Sequence, residues 1–310
     1  MKTRGAATPS PLRTWALCRV LGALLISTVL VRHGHLQPVS AFAGRGTPLT
    51  SRAAPVVSEP ARTAGAPIRL TDDPAQPQLK TASSHPIQYY LSLPDGWRAG
   101  KKYPVAVVIE SAERDFQKAA TLFCRSPQRG SFILVTPLVV TNGGAGYRNV
   151  PTYHYSDAVW NRIQTSGDFT FDMDGITAIM QDVVRLYGGY DKYFITGFEA
   201  GGHTVWAILF NHPEVTRGAA IVIPNYLGRW VDEAHISTYA GRADLPIRIL
   251  LGANDNFSAA GSPIYSQLQR AMSLAKAHGY QNLSQVSIEG KGHEALADDV
   301  LAYFSSLLQH

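Results

Sequence analysis

Thr196-Gly197-Phe198-Glu199-Ala200-Gly201-Gly202 decides how the rest of the chain is read. The apolar run Tyr193-Phe194-Ile195 leads into it, and a helix-compatible stretch from His203 to Asn211 leaves it. Strand, glycine-flanked turn and helix, in that order, predict an elbow so tight that its central residue takes a strained backbone conformation and points its side chain out of the sheet. The pattern for such an elbow is Gly-x-Ser-x-Gly. Its middle position here is Glu199, so the turn presents a carboxylate where a hydroxyl is expected.

Working outward, apolar runs and helical periods alternate. Ile87–Leu93, Val105–Ile109, Phe132–Val135, Ala219–Ile223, Ile247–Leu251 and Val286–Glu289 read as strands. Phe116–Phe123, Asp172–Tyr187, Ser262–His278 and Leu296–Leu308 read as helices, with Asp172 or Asp174 as a cap for the second. Leu227–Ala240 reads as a helix-containing connection. This alternation predicts a mainly parallel sheet with helices on both faces. Pro137–Phe171 reads as a long irregular stretch that holds Tyr147, Tyr153 and Trp160. One reading makes these aromatics a substrate-facing rim; the other makes the stretch a surface loop that packs its own aromatics.

Residues 1–43 have the form of an export signal. They carry five basic residues and no acid, an apolar core from Val20 to Val31, and Ala41-Phe42-Ala43 as a cleavage site. The apolar core is short for a membrane span, although an uncleaved anchor is the competing reading. Residues 44–81, rich in Ala, Pro, Arg and Thr, read as a flexible linker, and residues 82–310 as the folded domain. The predicted location is secreted or periplasmic, with no stable span after cleavage. The net charge of +5 is confined to the signal: without those five of the 28 basic residues, the count balances the 23 acids. That removes the electrostatic case for nucleic acid as a partner. Cys124 is the one cysteine left after cleavage, so an intrachain disulfide is excluded and a buried apolar role is expected.

Ligands of parallel sheets collect at the carboxyl ends of the strands. Glu110-Ser111 ends one strand, Glu199 sits in the elbow, Asp255 follows Ile247–Leu251, and Gly290-Lys291-Gly292-His293 follows the last strand. Elbow, then acid, then histidine is the order of an α/β-hydrolase catalytic set.

The stretch from about Ile87 to the C-terminus resembles the secreted α/β-hydrolase esterases related to polyhydroxybutyrate depolymerases and feruloyl esterases. The residues that carry the resemblance are Tyr89–Gly96 with Lys102-Tyr103-Pro104, Tyr190–Gly197, Ala200-Gly201-Gly202-His203, and His212-Pro213-Glu214. It implies an α/β-hydrolase fold, Asp255 as the catalytic acid and His293 as the catalytic histidine. No cofactor and no metal are expected. Glu199 stands where that family has its serine. Glu110-Ser111 stands where it usually has His-Gly, at the turn that, with the residue after the elbow (Ala200), supplies the oxyanion hole. The resemblance also places Glu110 near Glu199, so that one of two repelling carboxylates should have a raised pKa.

The chemistry then has several readings. Glu199 can attack a carbon bearing a good leaving group, as in an epoxide or halide, with His293 and Asp255 activating water to hydrolyse the ester formed. Ester cleavage through Glu199 requires a mixed anhydride. Glu199 or His293 can also act as a base on water. A divalent cation held by Glu110, Glu199, Asp255 and His293 lacks a ligand-spacing motif. The substrate is expected to be a small or polymer-derived organic molecule. The alternative is a catalytically inactive scaffold that binds a ligand. The bland readings are Glu110 as an inert loop-start residue, Asp255 as a turn residue in Asn254-Asp255-Asn256, and His203 as a packing or capping residue.

Overall fold

The structure is a computed structural model that describes residues 76–142 and 151–309. The expected signal and most of the linker lie outside the described residues. Eight strands form one sheet in the order β1-β2-β4-β3-β5-β6-β7-β8. They are β1 (Gln78–Thr81), β2 (Gln88–Ser92), β3 (Val105–Ile109), β4 (Ile133–Pro137), β5 (Tyr193–Phe198), β6 (Thr216–Val222), β7 (Ile247–Gly252) and β8 (Leu283–Ile288). β1–β2 and β2–β4 pair antiparallel, and all other pairs are parallel. β3 and β4 are buried at every position, as their continuous apolar sequence requires when helices cover both faces.

The helices are α1 (Phe116–Cys124), α2 (Asp157–Ser166), α3 (Asp168–Tyr187), α4 (Gly201–Asn211), α5 (Pro263–Ala277) and α6 (Ala297–Ser306). α1 and α5 are capped by side chains that their sequences supply: Asp115 accepts from Lys118 N, and Ser262 accepts from Tyr265 N. α4 is buried along nearly its whole length, which explains why its sequence shows no polar face. Cys124 is buried, as expected.

Several elements depart from the sequence reading. β1 lies in the last residues of the stretch read as linker, because Gln78–Thr81 pairs with Leu91–Gln88. Leu227–Ala240 holds only a short 3-10 turn at Glu233–His235, and another begins at Ala240. Pro137–Phe171 is not irregular throughout. Ser156 accepts from Val159 N and starts α2, which buries Trp160 and Ile163 one turn apart. Gly167, at φ 85, ends α2 and starts α3. Neither Asp172 nor Asp174 is therefore a cap. Asp172 is fully buried inside α3, where it accepts from Val140 N (2.9 Å), Thr141 N (2.9 Å) and the Thr141 hydroxyl (2.7 Å). Burial outweighs those bonds and pushes its carboxyl up to about 7. The backbone just past the end of β4 is thus tied to α3.

Candidate active site at the strand ends

The elbow forms as the glycine spacing predicts, and its centre is Glu199 at φ 50. Left-handed backbone is costly for a residue with a long side chain. Here it is held from both sides: Glu199 N donates to Val222 O (3.0 Å), while Glu199 O accepts from Gly202 N (2.9 Å) and Asn225 N (3.0 Å). Gly201 makes the geometry possible. A Cβ at that position would stand 2.6 Å from Ile109 O and 2.7 Å from Glu110 O, so only glycine lets α4 start this close to the end of β3. The register, Ile109 opposite Gly197, brings the β3 and β5 ends side by side. Ala200 is buried at the N-cap of α4, among the backbone N–H groups that a helix start leaves without intrahelical partners.

Asp255 and His293 come together because two turns meet backbone to backbone. Ala253 N donates to Ile288 O (2.9 Å) and Asn254 N to Lys291 O (2.8 Å). A Cβ on Gly252 would lie 2.2 Å from Gly292 O. His293 Nδ1 and Asp255 Oδ2 are 3.3 Å apart, with the Asp255 side chain fully buried and the His293 side chain 31% exposed. Asp255 also accepts from Phe257 N (2.9 Å, Oδ1) and from the Ser258 hydroxyl (2.9 Å, Oδ2). The imidazole lies between two phenyl rings, Phe198 at 5.0 Å and Phe257 at 4.8 Å between centroids. With Nδ1 committed to Asp255, Nε2 is the nitrogen left for a ligand.

Glu199, His293, Glu110 and Ser111 line one cavity of about 510 Å³. Glu110 is buried and accepts from the Ser111 hydroxyl (3.0 Å) and from the Ser111 backbone N–H. Burial pushes its carboxyl up to about 7, against the lowering effect of the Ser111 bonds, with smaller contributions from Glu113 and Asp115. The expected raised pKa is therefore present on Glu110, but loss of solvent rather than Glu199 is its main cause. Asn142 fixes this turn, its Nδ2 donating to Glu110 O (3.2 Å) and Ser111 O (2.9 Å). Among the described residues, Glu199 has no hydrogen bond or ion pair to its carboxylate.

Two of the three proposed rim aromatics lie in the core. Tyr147 lies outside the described residues. Tyr153 and Trp160 are 7% exposed and do not line the cavity. Tyr153 stacks on Tyr155 and meets Phe116 and Trp160 edge to face, Trp160 also meets Tyr155 edge to face, and the Tyr153 hydroxyl donates to Val139 O (2.5 Å). These rings belong to the core, so the reading of a stretch that packs its own aromatics replaces the substrate-facing one for both. His203 is buried, and burial lowers its pKa to about 4, so it packs as a neutral ring. Among the described residues, no group of three His, Cys, Asp or Glu could hold a metal ion, and no helix is long and apolar enough to cross a membrane.

Sequence reasoning missed Ser258, Asn142, Phe198 and Phe257. Ser258 had a local signal, a hydroxyl three residues after the acid. Asn142 had none, because its partners are more than thirty residues away.

No protein-family model matches the chain, and no curated protein matches it in sequence. Solved structures do. A dienelactone hydrolase candidate from Klebsiella pneumoniae subsp. pneumoniae MGH 78578 aligns over 76% of this chain and 98% of its own, at 13% identity and a TM-score of 0.50. Poly(aspartic acid) hydrolase-1 from Sphingomonas sp. KT-1 aligns over 76% and 98%, at 18% identity and a TM-score of 0.50. The esterase Est2 of Thermogutta terrifontis aligns over 76% and 92%, at 13% identity and a TM-score of 0.49. Strand order, elbow and the first two of these likenesses together establish that the chain has the α/β-hydrolase fold.

Proposed function

We propose that the protein is an exported hydrolase in which Glu199, His293 and Asp255 replace the Ser-His-Asp set of the fold. The observation that carries this reading is the shared cavity: a strained turn offers a carboxylate to it, and the same wall offers an imidazole whose other nitrogen is held by a buried acid. The substrate class is an ester, epoxide or organic halide, either a small molecule or a fragment of a polymer.

In the first step a Glu199 carboxylate oxygen attacks the electrophilic carbon, and that carbon's bond to the leaving group breaks. A leaving oxygen takes its proton from Glu110, which holds one up to about pH 7. In the second step His293 Nε2 takes a proton from water, and the water oxygen adds to the Glu199 carboxyl carbon of the intermediate, an ester from an epoxide or halide and a mixed anhydride from an ester. Asp255 steadies the imidazolium. The bond from that carbon to the substrate oxygen then breaks, and the product oxygen takes the proton from His293. The Glu199 carboxylic acid so formed gives its proton back to Glu110, or to solvent where a halide has left, and both carboxyls return to their starting state. Ala200 N–H, at the N-cap of α4, is the donor this reading assigns to the charge that develops on the intermediate's carbonyl oxygen.

A second reading is a ligand-binding protein on the same scaffold. It is favoured by the missing hydrogen bond between Glu199 and His293. One experiment separates the two: an ester, epoxide and haloalkane screen of wild type, Glu199→Gln and Glu199→Ser, with mass spectrometry of the intact protein. The hydrolase reading expects turnover in wild type, loss of turnover in Glu199→Gln, and a substrate-derived adduct on Glu199. Turnover confined to Glu199→Ser identifies a disabled esterase, and equal turnover in wild type and Glu199→Gln removes Glu199 from the chemistry.

A further inference from the structure

The cavity reaches well beyond the residues of the proposed chemistry. Its charged lining residues are Glu110 and Glu199 at the strand ends, Glu113 and Lys118 about the start of α1, and Glu294 beside His293. Away from these, the walls are Val108, Thr196, Ala119, Leu122, Phe123 and Ala295.

The topology gives this lining a direction. α1 joins β3 to the parallel strand β4, so it runs back along the sheet, away from the carboxyl ends of the strands. Lys118 and Glu113, paired at 3.6 Å and largely exposed, mark the near end. Leu122 is one turn farther, about 6 Å along the helix. Val108 and Thr196 each lie two positions before the strand-end residues Glu110 and Phe198. The space therefore runs from Glu199 and His293 as a groove between α1 and the segment after His293, and it becomes apolar with distance. Leu122 is 47% exposed, a large hydrophobic side chain left uncovered at the far end. An apolar groove continuous with convergent polar groups is the form a ligand site takes.

Resting on the hydrolase reading above, we infer that this groove holds an unbranched apolar arm of the substrate, an alkyl or acyl chain. The electrophilic carbon lies at Glu199, and the tail runs past Ala119 to Leu122. A buried methylene contributes about 0.8 kcal/mol, so each added carbon should raise kcat/KM about fourfold until the groove is full.

The test is a chain-length series of p-nitrophenyl esters and terminal epoxides from two to ten carbons, run on wild type, Leu122→Asp and Ala119→Phe. The first variant puts charge at the exposed tail position, and the second fills the groove partway. The expected result is a rising series with a plateau in wild type, a shallower rise in Leu122→Asp, and an earlier plateau in Ala119→Phe. Turnover that does not depend on chain length, or a series unchanged in both variants, overturns the inference and leaves the hydrolase reading intact. If no substrate is turned over, calorimetric binding of the matching 1-alkanols decides. The same rise, flattened in Leu122→Asp, supports the groove while removing the hydrolase reading. Absent or chain-independent binding overturns the groove.

Discussion

Glu110 and Glu199 end neighbouring parallel strands, yet the fold treats them in opposite ways. Glu110 is buried, tied to Ser111 and pushed up to about 7 by loss of solvent. Glu199 is half-buried, has no partner for its carboxylate among the described residues, and sits on a strained backbone. The same functional group, one strand apart, is desolvated and held by its neighbour in one place and presented to the cavity in the other. What separates them is the turn. The elbow lifts residue 199 off the sheet edge, whereas Glu110 has Asn142 holding its carbonyl and folds back onto its own chain.

Four changes would break or sharpen this contrast. The largest effect is expected from Glu199→Gln, which keeps shape and removes charge: kcat/KM on the best substrate should fall on the order of 10²–10⁴-fold. Loss of less than about tenfold would make Glu199 as passive as a packing residue. Next comes Glu110→Gln, read as stability against pH. Because the folded protein keeps the Glu110 proton between about 4.5 and 7 while the unfolded chain loses it, stability is highest below this window and declines as pH rises through it, by on the order of 3 kcal/mol. Glu110→Gln should remove that part of the decline in urea titrations at pH 5 and pH 8. Asp172, also pushed up to about 7 by burial, keeps a residual slope in the variant. An unchanged slope would show that Glu110 is ionised in the folded protein.

Gly201→Ala tests the contact that sets the two strand ends side by side. With backbone oxygens 2.6 and 2.7 Å from the new Cβ, the expected cost is about 1–3 kcal/mol, measured as a drop in the urea midpoint. No drop would mean that α4 can retreat from β3 freely. The smallest effect belongs to Glu199→Gly, which removes the left-handed strain: a gain of about 1 kcal/mol, seen as a higher Tm, together with loss of activity. A lower Tm would show that the Glu199 side chain stabilises the turn it strains.

Much of this arrangement is legible in the residues themselves. Buried parallel strands write themselves as apolar runs, and tight turns as glycines, so the strand series and the elbow stand out. Asp255 is readable because it follows such a strand, and His293 because Gly290 and Gly292 mark the turn after a half-exposed edge strand. Other features have no local signature. β1 is polar and half-buried, and it is a strand because β2 pairs with it. Tyr153 and Trp160 look like binding aromatics until α2 is seen to turn Trp160 inward and the Tyr153 hydroxyl to bond Val139 O. The raised Glu110 pKa depends on how much water its surroundings exclude, which no spacing records. The α1 groove wall is written as an ordinary amphipathic helix with one uncovered leucine.

The meeting of Gly252 with Gly292 has a consequence for how this centre can change. The histidine and its supporting acid ride on a jointed pair of loops, both drawn from the last quarter of the chain, and neither loop leans on residue 199 for its shape. The elbow carboxylate and the imidazole are thus separable parts, so exchanging one leaves the mount of the other in place. A hydroxyl or a carboxylate at the elbow would meet the same histidine mount unaltered.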